Sequence, residues 1–320
     1  MLDAVRFVRG AVAKKDFVPE LTHFRIEDGR ITGFNGVIAL SSPINLELTA
    51  RPKAVPFANA LARCEDVTTM HLTQSGRLSI KSGKFRALVD CIPNDDASLI
   101  PTAPDGVDVD LGDGFMSAVR ALDKFQGIDA SRVWAMGILF LGQSAYATNN
   151  VVFAQYWHGH NLPMRFQIPA AAVAELLRIN TTPLRVTATD TTATFHFDDG
   201  RWLRTALVAE TWPDGALALL DRPFNYGPVP AGLFDGLASI KPFIDTDERV
   251  FFRGGAIHTS ASDEVGGAAF EVPGLPDGPC FAFKVLNMLD GITSVDFSPH
   301  PNPCGFTAEN MRGMFLGLRT

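Results

Sequence analysis

The chain has 320 residues, of which 46% are hydrophobic and 20% are charged, and its 24 phenylalanines supply ample side-chain volume for packed cores. This composition excludes an intrinsically disordered chain. The formal net charge of −7 argues against a protein that coats nucleic acid with its whole surface, but it is compatible with a local basic face.

The chain contains no uninterrupted apolar run of about 18 residues, and basic residues interrupt the apolar positions of its N-terminal segment. We therefore expect neither a membrane span nor a secretion signal. The four cysteines (Cys64, Cys91, Cys280 and Cys304) form no CxxC pair, which argues against a zinc ribbon or a redox motif. The expected location is the reducing cytoplasm.

The first third of the chain predicts a helix, several strands, a second helix and three more strands. "MLDAVRFVRGAVAKK" has the apolar spacing of an amphipathic helix, and "FRIEDGRITGFNGVIALSS" alternates apolar and polar residues as strands do. Asp28-Gly29 and Asn35-Gly36 are hairpin-turn signals. "VPFANALARC" predicts the second helix and "TTMHLTQSGRLSIKSGKFRALVDCI" the last strands.

The same order returns twice, at an interval of roughly 110 residues, the size of a small domain. The second copy has the helices "GDGFMSAVRALDKF" and "PAAAVAELLRI", and its first strand pair turns at Asn149-Asn150. The third has the helices "PAGLFDGLASIKPF" and "FAFKVLNMLDGI". Proline-rich connectors, "PNDDASLIPTAPDG" and "ETWPDGALALLDRPFNYGPVP", separate the copies. We predict an α+β chain of three domains at 1–107, 108–215 and 216–320, each with two helices packed on antiparallel sheet.

The middle copy resembles a known family. "GILFLGQSAYATNNVVFAQY" followed by "LPMRFQIPAAAVAELLRI" is similar to the central strand pair and proline-initiated helix of bacterial-type DNA sliding clamps, the β subunit class of polymerase processivity factors. The connector "ETWPDG" and the C-terminal "MFLGLR" add to the resemblance, which covers essentially the whole chain. It implies three repeats of the DNA-clamp fold that assemble into a ring around duplex DNA, without sequence recognition, cofactor, metal or enzymatic activity.

A clamp needs phosphate-facing cations on its inner helices. Helix residues that could present positive charge in this way are Arg6, Arg9, Lys14, Arg63, Arg120, Lys124, Arg178, Lys241 and Lys284. The alternative for each residue alone is ordinary solvation of a polar helix face. Their recurrence on every predicted helix favours the collective role.

The resemblance also implies a cleft between the second and third domains that captures short hydrophobic peptides of the DNA polymerase and the clamp loader. Carried over position by position, the cleft residues are Leu139, Thr148, Phe153, Pro213, Leu217, Phe315, Leu316 and Leu318. The alternative is ordinary core packing. The chain departs from the family after Thr148, where 149–152 read Asn-Asn-Val-Val, which allows a dedicated partner motif. Ring closure would join the first domain of one copy to the third of the next, in a dimer or a trimer, with the dimer preferred.

Catalytic chemistry finds little support in the sequence. His158 and His160, or His300 with Cys304, lack further metal ligands at a recognisable spacing. "GQSAY" lacks the second glycine of a nucleophile elbow, no phosphate-binding loop occurs, and Asp198-Asp199-Gly200 predicts a hairpin turn. Two alternatives to the clamp remain at this point: a repeat-built structural protein, such as a phage particle component, and an enzyme or ligand-binding protein with a pocket between domains.

Overall fold

The computed structural model describes residues 1–65, 67–94, 99–101, 106–262 and 266–319, and the chain is an α+β structure. Its internal contacts group it into two compact units. Unit 1 is Met1–Phe115 with Leu162–Val208, and unit 2 is Met116–Asn161 with Ala209–Thr320. Within the described ranges, no helix combines the length and the apolar character that crossing a membrane requires.

The helices are short, so their packing on sheets must supply most of their stability. The α-helices of the described residues are α1 (Leu2–Val8), α2 (Ala54–Leu61), α3 (Phe115–Leu122), α4 (Ala170–Ile179), α5 (Leu233–Ile240) and α6 (Phe283–Met288). Single 3-10 turns are formed by Arg9–Ala11, Pro19–Thr22, Asp123–Phe125, Val133–Ala135, Leu217–Asp221 and Lys241–Phe243.

The strands lie in antiparallel sheets. Up to the middle of the chain they are β1 (Arg25–Glu27), β2 (Arg30–Phe34), β3 (Ile38–Pro43), β4 (Arg51–Pro52), β5 (Thr69–Leu72), β6 (Leu78–Ser82), β7 (Phe85–Val89), β8 (Cys91–Ile92), β9 (Val107–Asp110), β10 (Gly137–Thr148) and β11 (Val152–Pro169). The remaining strands are β12 (Arg185–Ala188), β13 (Thr192–His196), β14 (Trp202–Ala206), β15 (Gly227–Pro228), β16 (Arg249–Arg253), β17 (Ala256–His258), β18 (Ala269–Glu271), β19 (Cys280–Ala282), β20 (Ser294–Asp296), β21 (Cys304–Ala308) and β22 (Met311–Phe315).

Unit 1 is built on a sheet whose described strands run in the order β1-β2-β3-β14-β13-β12-β9. Helix α1 packs on β2 and β3 and buries Val5, Phe7 and Val8 there. Gly33 on β2 permits this close approach, because a Cβ at that position would lie 2.8 Å from the carbonyl oxygen of Val8. A smaller sheet, β5-β6-β7, and the pair β4-β8 complete the strands of this unit.

Unit 2 contains a sheet in the order β10-β11-β22-β21-β20-β15 and a second one in the order β18-β17-β16-β19. Strand β11 begins in unit 2 and continues from Leu162 in unit 1. The core of unit 2 is aromatic: the rings of Phe252, Phe281, Phe297 and Phe315 pack with centroid separations of 5.1 to 6.1 Å. Aromatic pairs at such distances add to the stabilisation from area burial.

Strand pairing crosses both of the predicted domain boundaries. Strand β14 of the second predicted domain pairs with β3 of the first, and β22 of the third pairs with β11 of the second. These continuous sheets explain why contacts divide the chain into two units. The division at 107 and 215 stays a prediction about repeated modules.

The turn signals of the sequence are confirmed. Asp28 and Gly29, with φ of 50° and 68°, form the two-residue turn between β1 and β2. Asn149 and Asn150 connect β10 with β11, and Asp199-Gly200 lie in the turn between β13 and β14, where Gly200 has a φ of 76°. Positive φ is tolerated best by Gly, Asn and Asp, so these residue pairs indicate turns in the sequence.

The predicted first helix is too long. It was expected to reach Lys15, but α1 ends at Val8, a 3-10 turn follows to Ala11, and Val12 is extended. Gly10 disfavours helix continuation, and the carboxylate of Glu175 lies so close that a Cβ at Gly10 would come within 2.0 Å of it. Lys14 is therefore not a helix residue.

The second predicted helix ends early as well. It was expected to include Arg63, but α2 ends at Leu61, and Arg63 lies in the following turn. Part of the first connector, at 95–98 and 102–105, lies outside the described residues.

His158 on β11 is buried, with 7% of its surface exposed, and its ring lies 5.9 Å from that of Phe140. Among the described residues, neither ring nitrogen has a hydrogen-bond partner of good geometry. Burial lowers the pKa of His158 and the neighbouring His160 lowers it further, while the backbone of Ser144 acts weakly in the opposite direction. Burial therefore favours the neutral form of His158 in the folded chain.

This burial predicts a loss of stability in acid. Below about pH 6.5 residue 158 is protonated to a greater extent in the unfolded chain than in the folded chain, so stability falls as the pH falls. In urea titrations at pH 7.5 and 5.5, His158→Phe should remove up to about 1 kcal/mol of the acid-induced loss. His23 and His196, whose pKa values burial also lowers, are present in both proteins and cancel. His71→Gln, at an exposed site, should leave the loss unchanged; equal losses with and without His158 would contradict the prediction.

Candidate functional site

Unit 2 contains an apolar cavity of about 300 Å³. Its walls come from segments that are far apart in the sequence. The pairing of β11 with β22 brings two of these segments together, and the segment that follows Val208 forms another wall. The lining residues are Trp134, Thr148, Asn150, Val151, Val152, Phe153, Trp212, Ala216, Leu219, Arg222, Pro303, Met314, Phe315 and Leu316.

The base of the cavity is an aromatic cluster on one face of the sheet. Phe153 on β11 lies directly opposite Met314 on β22. The indole of Trp212 packs on Phe153 with ring centroids 5.5 Å apart, and Trp134 packs edge-on against Trp212 at the same separation. Leu220 is buried in the same cluster. The large rings leave an opening that side chains of the chain itself do not fill.

One rim of the cavity is the β10–β11 turn, which its own side chains hold in shape. The Asn149 Oδ1 accepts hydrogen bonds from the backbone N–H groups of Val151 (3.0 Å) and Val152 (2.7 Å). The Thr148 hydroxyl donates to the Val152 carbonyl at 2.8 Å and accepts from the Asn150 N–H at 3.0 Å. The turn is thus a rigid part of the wall.

The same turn chemistry recurs in unit 1. Between β2 and β3, the Asn35 Oδ1 accepts from the N–H groups two and three residues further on, at 3.0 and 2.8 Å. Between β12 and β13, the Thr189 hydroxyl accepts from the equivalent pair at 3.3 and 3.0 Å. Side-chain oxygens that replace backbone acceptors in this way favour tight turns.

Next to the aromatic cluster the sheet face becomes polar. Arg312 on β22 donates to the Gln155 Oε1 at 2.6 Å and to the Asp221 Oδ1 at 3.0 Å. The Gln155 amide donates in turn to the Ser144 hydroxyl at 2.9 Å and to the Tyr146 hydroxyl at 3.3 Å. This network ties the segment that ends at Asp221 to the sheet.

The structure brings together most of the cleft residues predicted from the sequence. Thr148, Phe153, Phe315 and Leu316 line the cavity. Leu139 is fully buried in the cluster behind it, and Leu217 packs against that cluster.

Two predicted cleft residues lie elsewhere. Pro213 is exposed and does not line the cavity, although its carbonyl accepts from the Ala216 N–H at 3.1 Å. The backbone N–H of Leu318 donates to the Cys280 carbonyl at 2.8 Å, so Leu318 closes the edge of β19 instead. Strand pairing ends at Phe315, which is why the last residues diverge from the cavity.

Sequence reasoning missed the two tryptophans, Arg222 and Met314. Trp134 and Trp212 are two of the chain's four tryptophans and lie near predicted strands, before β10 and after β14, and this proximity was the signal that could have indicated them. Met314 is adjacent to the predicted Phe315, but the register that places it opposite Phe153 is known only from the structure. No signal in the sequence marks Arg222, since its position depends on how the connector packs.

All nine basic residues proposed from the sequence are exposed. Seven of them lie in α-helices or in the 3-10 turns that extend these helices, and Lys14 and Arg63 lie outside. Arg6 pairs with Asp3 at 3.3 Å, and Lys284 lies 3.7 Å from Glu248, both at exposed positions where ion pairs are weak.

Arg178 and Lys124 have structural contacts. Arg178 forms an ion pair with Glu175 and donates at 2.8 Å to the carbonyl of Phe7, which ties α4 to α1. Lys124 donates to the Asp290 carbonyl at 2.9 Å, and burial lowers the pKa of its ammonium group. Their charges are less available to a ligand than those of cations that stand free.

The residues considered for other chemistry have local roles. His300 Nε2 lies 2.9 Å from the carbonyl of Leu318 and 3.1 Å from that of Cys280, a position that anchors the chain end to β19. Burial raises the pKa of the Cys304 thiol to about 12, which makes it a poor nucleophile. Ser144 lies within strand β10, not in a strand-to-helix turn.

Comparison with known proteins identifies the fold. No protein-family model and no curated protein matches the chain. The solved DNA polymerase sliding clamp of Bacillus subtilis matches with a TM-score of 0.80 and 16% identity, over 100% of this chain and 97% of that one. The DNA polymerase III beta subunit of Thermotoga maritima gives a TM-score of 0.79 with 16% identity and the same coverage. The Helicobacter pylori beta clamp, solved with a DNA ligase peptide bound, gives 0.79 with 14% identity, again over 100% and 97%.

The chain therefore has the fold of the bacterial DNA sliding clamps over its entire length, as the resemblance implied. The match spans the residues of both units. At these identities the likeness establishes the fold.

The turn that forms the cavity rim offers a test of this local architecture. Asn149→Ala removes one acceptor shared by two backbone N–H groups and should lower the free energy of unfolding by about 1 kcal/mol. Asn35→Ala should have a similar effect on unit 1. Both are measured as shifts of the urea midpoint. Asn161→Ala, at an exposed site, serves as the control, and a midpoint unchanged by Asn149→Ala would contradict the assigned role.

Proposed function

We propose that this protein is a DNA sliding clamp, a non-enzymatic processivity factor that encircles duplex DNA and tethers a DNA polymerase to its template. The observation that carries the proposal is the agreement in fold with bacterial sliding clamps along the whole chain. Tethering raises the effective concentration of the polymerase at the primer end, so the polymerase rebinds before it diffuses away.

The helices and the turns next to them carry exposed cations, which this task requires. Contacts to phosphate that do not read sequence need only Lys and Arg at suitable spacing, and such binding is weak and strongly salt-dependent. Arg9, Arg63 and Lys241 are exposed cations without a partner among the described residues. The net charge of −7 means that the rest of the surface is acidic on balance and repels DNA.

The apolar cavity of unit 2 is the proposed docking site for partner peptides. It is concave, it is lined mostly by apolar and aromatic side chains, and its rim is held by hydrogen bonds, as suits a preformed ligand site. The Helicobacter pylori clamp is a protein of this fold that binds a peptide of a DNA-processing enzyme. By analogy, the partners here are the polymerase and the loader that opens the ring.

Ring closure would use the uncovered sheet edges of the three proposed domains. In the described residues, β5 pairs only with β6, and β18 pairs only with β17. At the opposite edge of the sheet that contains β18, the Leu318 N–H donates to the carbonyl of Cys280 on β19. An edge strand with free N–H and C=O groups is a template for pairing with another chain. Addition of β5 of one copy to β18 of the next would close a head-to-tail ring.

The oligomer is the first test. Two chains of 34.6 kDa should sediment as a species of about 70 kDa at micromolar concentration. The same measurement over a dilution series gives the dissociation constant, and a species of about three chains would indicate a trimeric ring. A monomer at every concentration would contradict ring formation.

Topological retention is the second test. The protein is mixed with linear plasmid, whose free ends a closed ring can thread without a loader, and the DNA is then circularised with ligase. The mixture is passed through a sizing column at about 0.5 M NaCl, which screens phosphate contacts. Encircling rings should remain with the circle and leave it when a restriction enzyme linearises the plasmid. Retention that linearisation does not abolish would indicate ordinary binding and contradict the proposal.

The cations are tested in the same protein. Arg9→Glu, Arg63→Glu and Lys241→Glu together should weaken binding to a short duplex at low salt by about tenfold or more and flatten its salt dependence. The control changes the same amount of charge at exposed positions on strands and turns, with Lys84→Glu, Arg86→Glu and Arg165→Glu. An equal loss of DNA affinity in both triple variants would mean that the loss follows from net charge and not from the positions of Arg9, Arg63 and Lys241.

A further inference from the structure

The connector after Val208 covers only part of the sheet face that carries Phe153. Phe224 packs there over Gly305, where a Cβ would lie 2.5 Å from the phenyl ring. Side chains alternate along a strand, so Trp157 on β11 lies on the same face as Phe153. Trp157 is 53% exposed. A large amphipathic ring that remains open to solvent on a sheet is the type of residue that anchors a partner.

Trp157 and the hairpin between β21 and β22 form a second cavity of unit 2, with a volume of about 310 Å³. This cavity shares no lining residue with the apolar cavity described above. The Trp157 N–H donates to the Asn310 carbonyl at 2.8 Å, which places the hairpin turn beside the tryptophan. Carbons of the indole would lie 3.7 to 3.9 Å from a Cβ at Gly159, so the strand supports the ring.

The lining of this second cavity contains one carboxylate and one guanidinium, and they differ in their contacts. Arg312 donates to the Gln155 Oε1 at 2.6 Å and to the Asp221 Oδ1 at 3.0 Å, so the Asp221 carboxylate offsets its charge. Glu309 is exposed, and within the part of the chain that the structure describes its carboxylate has no hydrogen-bond or ion-pair partner. The charge that remains available to a ligand is therefore negative.

We propose that this second cavity binds an arginine side chain of a protein partner, with the guanidinium over the Trp157 indole and paired with the Glu309 carboxylate. The face of an indole attracts cations more strongly than that of the other aromatic side chains. A planar guanidinium also stacks on aromatic rings and pairs with a carboxylate through two hydrogen bonds, which favours arginine over lysine.

Charge complementarity identifies this occupant. An exposed indole beside an unpaired carboxylate, on a chain with a net charge of −7, favours a cationic group and disfavours an anionic one such as a DNA phosphate. The inference goes beyond the proposed function, because it adds a docking site that requires neither the apolar cavity nor DNA.

The four tryptophans of the chain provide separate probes of binding. Each gives one indole N–H resonance in a proton–nitrogen correlation spectrum of the full-length protein, and substitution of each by Phe in turn assigns it. Trp157 reports on the second cavity, while Trp134 and Trp212 report on the apolar cavity. Trp202, buried in unit 1, reports on any general change.

The ligand is an acetylated and amidated peptide, Gly-Ser-Arg-Ser-Gly, compared with peptides that carry lysine or citrulline, the neutral analogue of arginine, at the centre. The arginine peptide should shift the Trp157 resonance in a saturable manner. It should bind about threefold tighter than the lysine peptide and about tenfold tighter than the citrulline peptide. Its affinity should fall between about 50 and about 500 mM NaCl.

Variants then assign the effect to its two groups. Glu309→Gln should weaken binding of the arginine peptide by about tenfold, and Glu309→Asp, which keeps the charge, should retain most of the affinity. Trp157→Leu should remove binding, as followed by saturation transfer to the peptide. Asp245→Asn removes an exposed carboxylate of unit 2 outside the second cavity and should leave the affinity unchanged.

Several results would overturn the proposal. One is a Trp157 resonance that does not move at about 20 mM arginine peptide, a concentration that detects even weak binding. Equal affinities of the arginine and citrulline peptides, or an unchanged affinity in Glu309→Gln, would also contradict it. Shifts confined to Trp134 and Trp212 would place the peptide in the apolar cavity instead. The clamp proposal has separate tests, in ring formation and in retention on DNA, so the two can fail independently.

Discussion

The pairing of β11 with β22 is the contact on which the candidate site depends. It places Phe153 opposite Met314, residues more than half the chain apart, and so creates the apolar sheet face that Trp212 covers. Without this register there would be no shared face, because a shift by one residue turns every side chain to the opposite side. The same pairing carries Gln155 and Arg312 into line, and through Asp221 it anchors the segment that forms the outer wall.

Sheets that continue across the predicted domain boundaries also hold distant parts of the chain together. In unit 1, β3 pairs with β14, and in unit 2, β11 pairs with β22. The two strands of each pair lie far apart in the sequence. The main-chain hydrogen bonds of these pairs do not depend on particular side chains, so the fold tolerates large changes in sequence. This is consistent with a full-length match in fold at 13 to 16% identity.

Charge has two different roles on the helices. Arg178 is tied to Glu175 and to the end of α1, and it stabilises the packing of one helix on another. Arg9 and Lys241 extend from the ends of helices into solvent. Both kinds of residue look alike in the sequence, as a basic residue on the polar side of an amphipathic segment. For the proposed clamp, the cations that are free of partners are the better candidates for DNA contact.

The sequence alone determined the turns and the order of helices and strands, since these follow from local signals. The threefold recurrence in the sequence stays a prediction of three domains. Asp28-Gly29 and Asn149-Asn150 were readable because few residues adopt positive φ. Helix ends were harder to predict: α1 stops at Val8, shortly before Gly10, and Glu175, far along the chain, leaves no room for a side chain at position 10.

Only the tertiary structure decided which of the predicted cleft residues meet in one cavity, that Leu318 closes a strand edge instead, and that Arg222 stands at the rim. The physical reason is that these positions depend on strand register and on the packing of a connector against a distant sheet. Neither leaves a periodic trace in the local sequence.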